Sequence, residues 1–259
     1  SLAIPLLSRF ARGHRQHLSV RDKNGNQMVQ KILSKQSGVV KIQVAEISML
    51  AVFKQYFTEG VWHIWIGFDH ILFLLTLLLP AVMVYRQHRW QSVAKLLPAI
   101  TDTLKIITAF TVAHSITLAL AVLKIVQLPS RDVEIVIALS VLITAVNNLI
   151  PVFCRYRWLL AFGFGLIHGF GFASVLNNLG LEPHSIVSSL IGFNLGVEFG
   201  QLVIVCLFLP FAFMASHTLI YRQWVLNGGS VLAGIVACIW IVERVTDVEL
   251  FGGVGLFLN

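Results

Sequence analysis

Ser185–Phe213, SIVSSLIGFNLGVEFGQLVIVCLFLPFAF, decides the fold. Its only charged side chain is Glu198, and the run is long enough to cross about 30 Å of hydrocarbon at 1.5 Å per residue. Read as a helix, it places Gly192, Gly196 and Gly200 within about 80° of one another, a small-residue stripe suited to close helix contact. Asn194, Glu198 and Gln201 fall within about 60° on the opposite face. One face packs and the other is polar. Inside a membrane, that pattern belongs to a helix lining a site or a water-filled path.

Five further segments have comparable length and hydropathy, near 61–84, 104–126, 132–152, 158–179 and 225–243. The chain is 57% hydrophobic and only 12% charged, whereas a soluble domain carries about 25% charged residues. The expected fold is an all-α integral membrane protein, a bundle of about six transmembrane helices over 61–243. Connections are short apart from 85–103, so sequential helices are expected to be antiparallel neighbours. Residues 1–44 read as a small exported β-like remnant, because two short runs in 17–34 flank Asn24-Gly25, a hairpin signal. Residues 45–60 are expected to approach the membrane as an amphipathic or interfacial segment, and 244–259 to form an exported tail. The chain starts at Ser1 with no visible signal peptide and is expected to be a truncated or processed product.

Charge sets the expected orientation. Residues 1–50 hold eight Lys/Arg against Asp22 and Glu46, while the remainder nearly balances. A basic segment beside a bilayer points to lipid headgroups, and no nucleic-acid motif is present. Among the short loops, Arg86, Arg89, Lys95, Arg155, Arg157 and Arg222 fall on one side, and Arg131 falls on the other. The first side is expected to be cytoplasmic, with both termini outside. Cys154, Cys206 and Cys238 lack C-x-x-C spacing and read as small apolar fillers.

Five ionisable side chains sit near the middle of apolar segments: Asp69, His70, His114, His168 and Glu198. Such groups are costly in hydrocarbon unless a partner or a task holds them there. All five lie within one or two turns of the midplane, on four different segments. Two carboxylates and three imidazoles suit a divalent transition metal. His63, Gly67 and His70 share one face, which makes His63 an outer site above His70. Asn194, Gln201, Ser115 and Asn147 are further candidates along a pathway. Gly165 and Gly169, with Gly163 and Gly171, surround His168 and suggest close backbone approach or a local helix break. Asn177-Asn178 would line an outer vestibule.

Plainer roles are open to each residue. An intramembrane His can be a hydrogen-bonded packing residue, Glu198 a proton carrier, and Asp69 the cap of a broken helix. Asn147-Asn148 read more readily as interhelical hydrogen-bond partners than as ligands. Trp62, Trp65 and Trp158 fit interfacial belts. No G-x-S-x-G, H-E-x-x-H or phosphate loop is present.

The run Gly67-Phe68-Asp69-His70-Ile71-Leu72-Phe73-Leu74 resembles the G-x-D-H-x-x-F-L signature of the HupE/UreJ family. So do the runs 109–115 (AFTVAHS), 165–173 (GLIHGFGFA) and 193–198 (FNLGVE), in order along the membrane part. One departure is that His63-Ile64-Trp65-Ile66 keeps a His but lacks the Pro that the family's His-Pro would place there. The resemblance implies a bacterial inner-membrane protein of hydrogenase or urease maturation, acting as a nickel or cobalt permease, with Asp69, His70, His114, His168 and Glu198 as its polar core. Zinc, iron and copper remain open as the metal. Two other functions remain open beside the permease: a membrane-embedded metal-dependent enzyme using the same ligands, and an assembly subunit of a larger membrane complex. Lipids are the expected surroundings, and a metalloenzyme-maturation complex supplies the candidate protein partners.

Overall fold

A computed structural model describes residues 49–172 and 185–247, together with the backbone of four short strands. The strands are Leu2–Ala3 (β1), Arg15–Arg21 (β2), Gln27–Ser34 (β3) and Val39–Val40 (β4). β2 pairs antiparallel with β3, His17 opposite Ile32, and β1 pairs with β4. The Asn24-Gly25 turn, Asn177-Asn178 and the tail beyond 247 lie outside the described residues.

The rest is an all-α bundle with one hairpin. Its helices are Met49–Ile66 (α1), Phe68–Leu78 (α2), Leu96–Val122 (α3), Ser130–Leu149 (α4), Arg157–Gly171 (α5) and Ile186–Ala215 (α6). The last helix, Tyr221–Thr246 (α7), opens with a π-helical stretch at Tyr221–Gly228. Four of them, α3, α4, α6 and α7, are long and apolar enough to cross a membrane, and α1 with α2 makes a fifth candidate, bent by 70° at a break.

The described residues thus hold four or five candidate spans where six were expected. The first difference lies in 61–84, which is not one continuous span. The helix begins at Met49, breaks at Gly67 and ends at Leu78, so most of the expected interfacial approach is the first half of α1. Of the expected span 158–179 the described residues hold α5, whose 15 residues extend about 22 Å, and 173–179 lie outside them. The expected loop 85–103 also carries structure. Met83–Arg86 (β5) and Arg89–Ser92 (β6) pair around Gln87 and His88, whose positive φ angles of 51° and 59° suit a tight hairpin turn without glycine.

Hydrogen bonds establish which helix ends lie together. At the hairpin end, Trp90 Nε1 donates to the Asn148 carbonyl at 2.9 Å, Ser92 Oγ lies 3.0 Å from His217 Nδ1, and Tyr221 Oη donates to the Leu79 carbonyl at 2.8 Å. At the far end, Ser188 Oγ donates to the Met49 carbonyl at 3.0 Å, and Arg131 Nε donates to the Arg244 carbonyl at 2.8 Å. Successive crossings therefore alternate in direction when the α1–α2 pair counts as one. The closest-packed pairs are not sequential, however. α1 packs on α6 and α3 packs on α5, and the helices in each pair run parallel.

Glycine makes both contacts possible. A Cβ on Gly192 would lie 2.6 Å from the Phe53 carbonyl oxygen, and one on Gly196 would overlap that of Phe57. From the α1 side, a Cβ on Gly60 would overlap the Phe193 carbonyl. In the other pair, a Cβ on Gly165 would lie 2.5 Å from the Phe110 oxygen, and one on Gly169 would overlap Thr117 Oγ1 and the His114 carbonyl. Gly200 is looser, with its nearest neighbours at 3.5 Å. Dispersion falls off steeply with distance, so such approach supplies attraction where hydrocarbon offers no hydrophobic drive.

The hairpin end is sealed by an apolar cluster that includes Leu78, Val82, Trp90, Ile107, Leu209 and Leu226. There the last carbonyls of α2 meet side chains from three helices. Asn148 Nδ2 donates to Thr76 at 2.8 Å, the Arg157 guanidinium donates to Leu77 and Pro80, and Tyr221 caps Leu79. The carbonyls at a helix C-terminus lack intrahelical donors, and of these acceptors only Pro80 also takes a backbone N–H, from Met83.

The glycine contacts predict a contrast. Gly169→Ala and Gly196→Ala should each force a helix pair apart and destabilise the protein by about 1–3 kcal/mol. Gly163→Ala, with no atom within 4 Å of the added Cβ, should be neutral or stabilising by up to about 1 kcal/mol. Thermal unfolding midpoints of the three detergent-solubilised variants check this.

Candidate metal-binding site

The break at Gly67 builds the site. Gly67 N–H still donates to the His63 carbonyl at 3.0 Å, and its own carbonyl accepts Ile71 N–H at 2.9 Å, so the chain turns without losing either bond. A Cβ at this position would come within 2.7 Å of the His63 oxygen and 3.1 Å of His70 Nδ1. Only glycine leaves room for both histidines to fold over the bend. Asp69 follows as the second residue of α2, and a carboxylate is favoured at a helix N-terminus. Its Oδ1 accepts the His70 backbone N–H at 2.9 Å and lies 3.0 Å from His70 Nδ1.

Four imidazoles from four helices meet beside the break. Ring centroids are 4.4 Å apart for His63 and His70, 5.1 Å for His70 and His168, 6.2 Å for His63 and His114, and 6.4 Å for His70 and His114. His114 and His168 are fully buried, and Asp69 and His70 nearly so. Gly165 and Gly169 flank His168 where α5 touches α3, which brings His168 onto the level of His114.

Hydrogen bonding assigns the protons on two of these rings. Ser140 Oγ has one hydrogen, and at 2.6 Å it goes to the Ile137 carbonyl. The His168 Nε2 that lies 3.0 Å from the same oxygen must then be a donor, which leaves the lone pair of the neutral ring on Nδ1. His70 is the reverse case. Its Nδ1–H donates to Asp69, and in the neutral ring the lone pair sits on Nε2. Both lone-pair atoms are buried without a partner, as are both nitrogens of His114, Nε2 of His63 and Oδ2 of Asp69. A buried polar atom left unpaired costs about 1–3 kcal/mol, so these atoms are the candidate ligands of the group.

The chemistry of the donors suits a divalent cation of borderline hardness. Their geometry is open: among the described residues, no three His, Cys, Asp or Glu side chains converge to hold a metal ion as they stand.

The other candidates are placed elsewhere. Glu198 is half-buried, and its Oε1 accepts Thr108 Oγ1 at 3.2 Å on the α3–α6 face. Gln201 accepts Thr111 Oγ1 at 3.1 Å on the same face. Ser115 Oγ turns back to the Thr111 carbonyl at 2.7 Å. Asn194 Nδ2 donates to Leu190 at 2.8 Å, with its Oδ1 buried and unpaired. Asn147 lies at the end of α4, where its Oδ1 accepts the amides of Val152 at 3.2 Å and Phe153 at 2.8 Å and stops the helix. The arrangement therefore groups Asp69, His70, His114 and His168 with His63, and leaves Glu198 outside that group.

Sequence reasoning did not single out Ser140 or Gly60. Ser140 lies on an apolar stretch of α4, and nothing in its spacing marks it as the partner of a residue 28 positions away. Gly60 sits one turn before His63, and its pairing with the Gly192–Gly196 stripe would have been the available signal.

Among known proteins, residues 39–244 match the family model described as HupE / UreJ protein. No curated protein and no solved structure matches the chain. The matched region includes every helix that contributes to the imidazole group, and the chain belongs to the HupE/UreJ family.

Proposed function

We propose that this protein is a permease that carries a divalent transition-metal cation, nickel or cobalt, through the imidazole group beside Gly67. The observation that carries the reading is the set of buried ring nitrogens on His70, His114, His168 and His63 that no protein group satisfies. A metal bound at about 2.0 Å to two ring nitrogens sets the ring centroids roughly 4.5–5.5 Å apart. The separations of 4.4 Å and 5.1 Å around His70 fall at or near that range. His63, His70, His114 and His168 would bind the cation as neutral ligands. Asp69 would orient His70 through Nδ1 and offset the cation's charge, and Ser140 would hold the His168 tautomer. Family membership supports the choice of cargo, since HupE/UreJ proteins are associated with nickel or cobalt uptake or metalloenzyme maturation.

A catalytic metal centre holds its ion tightly, whereas a permeant ion needs a site weak enough to leave. Family membership is the reason for preferring a permease to a metal-dependent enzyme, and metal retention separates the two. We read the alternating helix directions as six crossings of a bacterial inner membrane. The hairpin end, with Arg86, Arg89, Lys95, Arg155, Arg157 and Arg222, would be cytoplasmic, and both termini periplasmic. Its partners would be lipids and the metalloenzyme-maturation machinery that receives the metal.

Metal uptake into proteoliposomes tests the reading. Asp69→Asn and His168→Ala should abolish it, and undiminished uptake in either would sink the proposal. Ser140→Ala, which frees the His168 tautomer, should weaken metal affinity about tenfold without abolishing transport. Glu198→Gln should cost less than Asp69→Asn in the same assay, because Glu198 lies outside the imidazole group. The wild-type protein should retain well under one metal ion per chain after purification.

A further inference from the structure

Four phenylalanines pack against the imidazole group, and they form two ring pairs at different levels. Phe172 and Phe193 stack with centroids 4.6 Å apart and planes 11° from parallel. Both also touch His63, at 4.3 Å and 5.3 Å. Phe73 and Phe110 lie 5.4 Å apart and both contact His168, at 4.8 Å and 5.2 Å.

Helix direction gives the levels. α5 runs away from the hairpin end, so Phe172 lies one turn, about 6 Å, beyond His168 toward the far end. α6 starts at the far end, and Phe193 lies within its first third. α3 runs away from the hairpin end and α2 runs toward it. Phe110 therefore lies one turn on the hairpin side of His114, and Phe73 lies about one turn further than His70 along α2, which ends at the hairpin. The imidazoles are thus bounded by one aromatic pair on each side.

We propose that the stacked pair Phe172–Phe193 and the pair Phe73–Phe110 are the two barriers that close this site to the two sides of the membrane. The proposal rests on the permease reading and adds to it the residues that control access. An apolar constriction excludes a hydrated cation by dewetting, and aromatic rings do so without offering a ligand that would trap the ion. Each pair joins different helices, α5 with α6 and α2 with α3, so each can part while the other stays closed.

Accessibility of the site, measured apart from transport, tests this. In a full-length chain with Cys154, Cys206 and Cys238 replaced by Ser, His63→Cys would be probed with a membrane-impermeant thiol reagent from each face in turn. Adding Phe172→Ala should speed modification from the far-end face by about tenfold, the size set by losing an aromatic pair. Adding Phe110→Ala should speed it from the hairpin-end face alone. Phe172→Trp, which keeps the stack, should leave the rate unchanged. Unchanged rates in both alanine variants would overturn the proposal, as would equal acceleration from both faces or a Trp variant as fast as Ala. Absence of metal flux through wild-type proteoliposomes would instead remove the permease reading, and the labelling pattern would still decide whether the rings are barriers.

Discussion

A helix broken inside an apolar bundle must satisfy backbone groups that no water can reach, and the rest of this structure is organised around one such break. At Gly67 the chain turns by 70° between α1 and α2. The new N-terminus is stabilised by Asp69, whose carboxylate takes the His70 amide and complements the helix dipole. The other end of α2, only 11 residues away, is closed by Asn148, Arg157 and Tyr221. A partly buried guanidinium on carbonyl oxygens is a costly cap, but it faces the negative end of the helix dipole.

The break alone would not gather four imidazoles. Two parallel helix pairs bring them to one level, α1 against α6 and α3 against α5, and both rely on glycine at the point of contact. The same residues that let the backbones touch lie within one turn of the histidines: Gly60 before His63, Gly165 and Gly169 around His168. Packing and site are therefore encoded in the same short stretches. A substitution that widens either contact also moves a ring.

Much of this was legible in the chain. The glycine stripe of Ser185–Phe213 marked a packing face, and Gly192 and Gly196 do lie against α1 backbone. The glycines around His168 suggested close backbone approach, and Gly165 and Gly169 make it. Three things were not legible. Helix rotation is invisible to a count of depth, so Glu198, at the right level, lies beside Thr108 and not among the imidazoles. The break at Gly67 lies inside a hydrophobic run that reads as one continuous span, and only the reading of Asp69 as the cap of a broken helix pointed to it. The β5–β6 hairpin turns on Gln87 and His88, two residues that carry no turn signal, and it is stabilised by contacts distant in sequence such as Trp90 with the Asn148 carbonyl.

The fastening of α2 has a mechanical consequence. Its hairpin end is tied to α4, α5 and α7 at once, whereas α1 is held chiefly by α6. The two halves of the first crossing thus have different principal neighbours and are joined at a single glycine. A change of angle at Gly67 would change the distance between His63 and His70, which lie on its two sides. The number of nitrogens a cation can engage at one time would then follow the angle at one residue, so that grip and release become two settings of the same joint.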